Sequence, residues 1–74
     1  MEIKNKFSER LKSLRKERGL TQQELSIKLN CNIAQSSIAL WEANKRVPNL
    51  DVVILLARFF EVSLDYLAGE VDFK

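Results

Sequence analysis

The chain has 74 residues, 46% of them hydrophobic, with 12 basic and 10 acidic side chains and a formal net charge of +2. This composition fits one small globular domain with a thin core, excludes a disordered chain, and contains no apolar run long enough for a signal peptide or a membrane span. A single cysteine and no histidine exclude an internal disulfide and remove the usual partners of zinc sites and catalytic triads, so we expect a cytoplasmic, non-enzymatic protein without metal or cofactor.

The first predicted helix runs from about residue 4 to Arg18. Phe7, Leu11 and Leu14 recur at i, i+4 and i+7, which places them on one face of a helix. Gly19 follows, and a glycine there suits the left-handed residue that ends a helix. We therefore expect this helix to pack its apolar face on the core.

A capping box marks the start of the second helix. Thr21 can accept a hydrogen bond from the backbone of Glu24, and the Glu24 carboxylate can reach back to the backbone of Thr21. The helix is predicted to run from Gln22 to about Leu29, with Leu25 and Leu29 facing inward.

A turn at residues 30–32, Asn-Cys-Asn, separates the second helix from the third, because asparagine tolerates positive φ. Asn32 is then expected to cap the third helix, with Gln35 three residues later as its capping partner. Cys31 is interpreted as a small buried hydrophobe, and a redox-sensing thiol is the alternative.

The outward face of the third helix, which is predicted to end near Glu42, is neutral. Ile38 and Trp41 are expected to face the core, which leaves toward solvent Gln35, Ser36, Ala39 and Leu40. Glutamine can pair with the N6 and N7 atoms of adenine, serine can donate or accept, and alanine and leucine can pack on a thymine methyl group. The alternative is an ordinary solvated helix face.

The fourth helix is predicted to run from Leu50 to Phe60, capped by Asn49, after a loop at residues 43–48. Its apolar residues form two stripes. The stripe expected to face the core consists of Leu50, Val53, Ile54, Ala57 and Phe60. The second stripe consists of Val52, Leu55 and Phe59. An exposed stripe of this size predicts a homodimer or a protein-partner surface, and the alternative is packing beneath the N-terminal arm.

A short fifth helix, capped by Ser63 and ended by Gly69, completes an all-α fold of five helices in one domain over residues 1–74. We expect the tail, about residues 70–74, to be frayed. Val71 and Phe73 would then be available to help the fourth and fifth helices form a dimer.

The charges are unevenly spread along the chain. Residues 1–18 carry a net charge of +4 and residues 50–74 a net charge of −3. Lys28, Lys45 and Arg46 flank the neutral face of the third helix, an arrangement that suits phosphate contacts around a base-contacting surface. Two solvated helix faces are the alternative explanation. Two short helices joined by a tight turn are also the geometry that places a helix in the major groove.

The sequence resembles the Cro/lambda-repressor-like family, also called the XRE-type helix-turn-helix family. The resemblance covers roughly residues 7–69. It rests on residues 10–15 (Arg-Leu-Lys-Ser-Leu-Arg), 19–26 (Gly-Leu-Thr-Gln-Gln-Glu-Leu-Ser), Ile38, 41–42 (Trp-Glu), 45–50 (Lys-Arg-Val-Pro-Asn-Leu) and 62–69 (Val-Ser-Leu-Asp-Tyr-Leu-Ala-Gly). The resemblance implies a five-helix fold that binds operator double-stranded DNA, usually to repress transcription.

The resemblance also implies roles for individual residues. The base-contacting positions would be Gln35, Ser36 and Leu40, and Ala39 is added because it lies on the same helix face. The phosphate-contacting positions would be Gln22, Lys45 and Arg46, and we add their neighbours Thr21 and Asn44. Gln22 would in addition brace Gln35, and Arg15 and Glu42 match a buried ion pair that joins the first helix to the end of the third.

The sequence departs from the family pattern at Val52, Leu55 and Phe59, where the family tends to have polar or small residues, and on both sides of the third helix. The spacing from Leu29 to Glu42 is two residues longer, which lengthens either the turn or the front of the third helix. We favour the longer helix, because Asn32 and Gln35 make a good cap. Ala43-Asn44 stands where the family favours Asn-Gly; Asn44 can adopt the left-handed conformation of the glycine, whereas Ala43 lacks an amide that could contact phosphate.

Two other functions remain open at this point. The chain could be an antitoxin or immunity-type partner that binds another protein through the fourth helix. It could also be a protein-interaction domain that has kept the fold and lost DNA binding. Salt-dependent binding to random duplex DNA distinguishes the regulator from the last of these.

Overall fold

The computed structural model describes residues 3–29 and 32–74, with side chains from Lys6 onward. The described residues form five α-helices and no strand, as the sequence predicts. The helices are α1 (Ile3–Glu17), α2 (Gln22–Leu29), α3 (Gln35–Glu42), α4 (Leu50–Phe60) and α5 (Leu64–Ala68). The expectation for Cys31 falls outside the described residues.

Local capping chemistry determines where most of the helices begin and end. The capping box at α2 is confirmed: the Thr21 N–H donates to the Glu24 carboxylate at 2.8 Å, and the Glu24 N–H donates to the Thr21 hydroxyl at 3.0 Å. The caps at α4 and α5 are also confirmed, with Asn49 accepting from the Val52 N–H. Ser63 accepts in the same way from the N–H three residues later. The left-handed residue after α1 is Gly19, at φ 68°.

The core lies between α1, α2, α3, α5 and the inner face of α4. Helix α1 packs on α3 and α5, and α2 packs on α3 and α4. Six side chains are almost completely buried: Phe7, Leu11, Leu25, Ile38, Leu56 and Leu67. Leu50 and Ile54 were expected in the core, but 64% of the Leu50 surface is exposed and Ile54 is half-buried. Leu56, which was not expected there, is completely buried.

The loop between α2 and α3 corrects the interpretation of the two additional residues. Asn32 adopts the left-handed conformation at φ 57° and does not cap α3. The N-cap residue is Ala34, which is extended and supplies no side-chain hydrogen bond, and α3 begins at Gln35. The additional residues therefore lengthen the loop, and the front of α3 is not extended.

The tail is held against the helices, in contrast to the frayed tail expected from the sequence. The Arg10 guanidinium donates to the carbonyl oxygens of Tyr66 and Val71, both at 2.5 Å, and lies 4.2 Å from the centre of the Tyr66 ring. The Lys74 ammonium donates to Glu17 at 3.0 Å. Contacts at both ends of residues 71–74 thus fix the tail on α1 and α5.

None of the helices in the described part of the chain is long and apolar enough to cross a membrane. Within residues 3–29 and 32–74, no group of His, Cys, Asp or Glu side chains is arranged to hold a metal ion.

Candidate nucleic-acid interface

Helix α3 presents a neutral outward face, as its spacing predicts. Ile38 and Trp41 are buried, at 0% and 6% exposure, and anchor the helix on α1 and α2. On the opposite side Gln35, Ser36 and Leu40 are exposed and Ala39 is half-buried. The four residues expected to contact bases therefore lie on one helix of only eight residues, held rigidly by two core side chains.

A buried ion pair ties the end of α3 to α1. Arg15 binds Glu42 through both carboxylate oxygens, with Nε–Oε2 at 2.7 Å and Nη2–Oε1 at 2.9 Å. Only 3% of the Glu42 side chain and 11% of the Arg15 side chain are exposed. The remaining Arg15 nitrogen donates to the Leu20 carbonyl at 2.7 Å. The hydrogen bonds to Glu42 outweigh burial and raise the pKa of Arg15 above its ordinary value, so the pair stays charged.

Gln22, the first residue of α2, links this ion pair to the start of α3. Its Nε2 donates to Glu42 Oε1 at 3.1 Å, and its Oε1 accepts from Gln35 Nε2 at 3.3 Å. The brace between Gln22 and Gln35 was expected from family position, whereas the Gln22–Glu42 bond was not. The result is a continuous chain of hydrogen bonds, Arg15–Glu42–Gln22–Gln35, from the buried side of α1 to the exposed start of α3.

The loop that follows α3 carries two cations. Lys45 and Arg46 are both exposed. Asn44 adopts the left-handed conformation at φ 63°, as expected where the family favours glycine. The Ala43 and Lys45 N–H groups donate to the carbonyls of Ala39 and Leu40, so the backbone of the loop is joined to the last turn of α3.

Thr21 lies at the other edge of the site, at the start of α2. Its hydroxyl oxygen is used by the capping box, but the hydroxyl hydrogen remains a donor for a second acceptor. Thr21 is exposed and adjacent to Gln22, so the N-terminus of α2 offers both side chains to an anion.

The stripe of Val52, Leu55 and Phe59 is separate from this site, on α4. All three side chains are half-buried and pack partly on the core, so the stripe is less exposed than the sequence predicts. The Arg18 guanidinium lies 5.6 Å from the centre of the Phe59 ring and partly covers it. Helix α4 packs on α2 and α5, away from the outward face of α3.

Comparisons with known proteins agree with this geometry. A family model described as helix-turn-helix matches residues 11–67. The chain is 41% identical over 66 residues to the uncharacterized HTH-type transcriptional regulator YobD of Bacillus subtilis, covering 89% of this chain and 57% of that protein. It is 37% identical over 64 residues to the HTH-type transcriptional regulator ImmR of the same organism, covering 86% of this chain and 49% of ImmR.

A third relative is named as an activator of transcription. The chain is 35% identical over 65 residues to the HTH-type transcriptional activator BcrR of Enterococcus faecalis, covering 86% of this chain and 31% of BcrR. The chain thus spans about half the length, or less, of these three relatives. No solved structure gives a significant match.

Proposed function

The chain belongs to the XRE-type helix-turn-helix family, and from that premise we propose that it regulates transcription by binding operator DNA with α3 in the major groove. The family assignment places it among DNA-binding regulators rather than enzymes. In this proposal residues 1–74 act as one DNA-binding domain in the cytoplasm.

The observation that carries the proposal is the hydrogen-bond chain that ends at Gln35. Gln35 Nε2 gives one hydrogen to Gln22 Oε1, which leaves its second hydrogen and its own Oε1 for a base. Adenine offers an acceptor at N7 and a donor at N6 on its major-groove edge, and it matches this pair of groups. Gln35 is therefore assigned to an adenine at one end of each half-site.

The other three residues expected to face the groove can make one polar and two apolar contacts with base edges. Ser36 can donate or accept, and Ala39 and Leu40 can pack on a thymine methyl group. Leu40 is 38% exposed, so part of its side chain is accessible to a groove. We assign these three positions to the bases that follow the adenine.

Phosphate contacts are assigned to the two edges of the site. Lys45 and Arg46 would neutralise phosphates on one side of the groove. Thr21 and Gln22 would donate to a phosphate at the N-terminus of α2 on the other side, where Gln22 Nε2 retains a second hydrogen beyond its bond to Glu42. We assign Asn44 to the same edge because it precedes Lys45 in the loop.

We further propose a homodimer that represses transcription. Two copies would place their recognition helices about 34 Å apart, one turn of DNA, on a palindromic site. The names of the relatives are compatible with both activation and repression, so repression needs its own measurement. Expression of a reporter gene placed behind the selected operator should fall when the chain is produced.

The experiment that tests DNA recognition is selection of bound duplexes from a random library, followed by titration of variants. Gln35→Ala should cost about 1–3 kcal/mol on the selected site and little on random DNA, because it removes base contacts. Lys45→Ala should weaken both similarly and reduce the salt slope by about 0.9, since it removes one phosphate contact. No binding to any duplex at low salt would defeat the proposal and favour a protein-binding role for α4.

A further inference from the structure

The outward face of α4 combines an apolar centre with two charges of opposite sign. Ile54 and Leu55 are half-buried, and together with Val52 they line a shallow depression that also includes Asp51 and Arg58. Both charged residues are exposed. Among the residues that the structure describes, neither side chain takes part in an ion pair or a hydrogen bond. The face thus has apolar surface to bury and two unpaired charges.

The positions of these charges are symmetric about the apolar centre. Asp51 and Arg58 are seven residues apart, about 10 Å or two turns along the helix, so both project on the same side as Leu55. The midpoint between them falls between Ile54 and Leu55. An antiparallel copy of the helix, related by a twofold axis through that midpoint, would bring Asp51 of each copy opposite Arg58 of the other.

We propose that two copies of this chain pair through α4, antiparallel, with two reciprocal Asp51–Arg58 contacts around a centre of Ile54 and Leu55. This assigns the surface of the homodimer in the proposed function, and it rests on that function. A parallel pairing would place Asp51 opposite Asp51 and is disfavoured by like charge. An unrelated partner protein would require no such symmetry, so the arrangement of charges favours a second copy.

The pairing leaves the DNA-contacting residues available. Helix α4 packs on α2 and α5, whereas α3 packs on α1 and α2, and none of the residues assigned to DNA lies on α4. Each copy could therefore present α3 to DNA while α4 is covered by its partner.

A second physical account of the two charges predicts a different result. Asp51 lies in the first turn of α4 and Arg58 in the last, where each also interacts favourably with the helix dipole. If the dipole were their only role, exchanging the two charges would give the least stable helix and would not affect association. If they pair between copies, exchanging both restores the two contacts.

The test is a charge cycle on the whole chain, followed by sedimentation equilibrium over a range of concentrations. Each single variant, Asp51→Arg or Arg58→Asp, turns both contacts between the two copies into contacts between like charges. Each should therefore raise the dimer Kd about tenfold or more. The double variant should return to within about threefold of the wild-type Kd, since it restores two exposed pairs of similar strength. An equimolar mixture of the two single variants should form a heterodimer, because both of its contacts are again attractive.

Two controls isolate the effect. Lys12→Asp, at an exposed position of α1, changes the net charge as much as Arg58→Asp and should leave the dimer Kd unchanged. Circular dichroism of every variant should match the wild type, because both substituted residues of α4 are exposed.

The proposal is overturned by a wild-type chain that stays monomeric at all concentrations, by single variants that associate as the wild type does, or by a mixture that does not restore association. DNA binding is measured on the same samples. An intact charge cycle without DNA binding would defeat the proposed function alone. DNA binding by a strictly monomeric wild type would defeat the α4 pairing and the proposed homodimer, and would leave DNA recognition by α3 standing.

Discussion

Arg10 and Arg15 lie five residues apart on α1, and their guanidinium groups are similarly buried, with 14% and 11% of the side chains exposed. Their carboxylate partners differ greatly: 3% of the Glu42 side chain is exposed, against 94% of the Asp72 side chain. Water therefore competes for Asp72 but not for Glu42. We therefore expect the exposure of the acidic partner, rather than that of the arginine, to separate a contact that stabilises the fold strongly from one that contributes little.

The largest effect should come from removing the buried carboxylate. Glu42→Ala leaves Arg15 buried without its counter-charge, which should cost about 3–5 kcal/mol of unfolding free energy. Urea unfolding followed by fluorescence of Trp41, the single tryptophan, measures this directly. Arg15→Met combined with Glu42→Leu removes both charges and should cost clearly less than Glu42→Ala. If Glu42→Ala instead lost less than about 1 kcal/mol, the Arg15–Glu42 pair would contribute no more to the free energy of unfolding than an exposed salt bridge does.

Arg10→Ala should have the second largest effect on stability. The variant loses hydrogen bonds to the Tyr66 and Val71 carbonyls and the stacking on the Tyr66 ring, together about 2 kcal/mol. It also loosens the tail at Val71, while Lys74 keeps its bond to Glu17. Urea unfolding gives the energy, and faster proteolysis after α5 reports release of the tail. Lys12→Ala, on the exposed face of the same helix, is the matched control and should change neither.

Gln22→Ala extends the comparison from stability to recognition. Glu42 keeps both bonds to Arg15, so the loss of unfolding free energy should stay below about 1 kcal/mol. Gln35 loses the acceptor that orients its amide, so the preference for adenine over other bases should fall about fivefold, or roughly 1 kcal/mol. Competition between the selected site and its single-base variants measures the preference. An unchanged preference would mean that Gln35 needs no brace.

The helix boundaries could be predicted because their signals are local. Thr21 and Glu24 are three residues apart, and Asn49 and Ser63 each cap the helix that begins at the next residue. The loop before α3 was predicted wrongly because Asn32 suits both an N-cap and a left-handed turn residue, and the sequence does not decide between them. Helix α4 is apolar on several sides, so periodicity alone did not separate buried Leu56 from exposed Leu50.

The contacts that sequence reasoning missed join distant residues. The bond from Gln22 to Glu42 spans 20 positions, and neither residue carries a local signal of it. The bonds that hold the tail go from Arg10 to backbone carbonyls, and any residue type could supply those. The Arg15–Glu42 pair, 27 positions apart, was expected only because both residues match a family pattern.

The smallest effect should come from Asp72→Ala. Arg10 Nη2 contacts the Asp72 carboxylate at 3.1 Å, but the carboxylate is almost fully exposed, so we expect a loss below about 1 kcal/mol in urea unfolding. Because the backbone carbonyls of Tyr66 and Val71 remain as acceptors for Arg10, proteolysis of the tail should match the wild type. Added salt should weaken whatever contribution Asp72 makes and leave that of Glu42 almost unchanged, since screening acts mainly on exposed charges. If Asp72→Ala instead released the tail as fully as Arg10→Ala, the exposed carboxylate would be the main contact, and the exposure of the partner would not explain the difference between the two arginines.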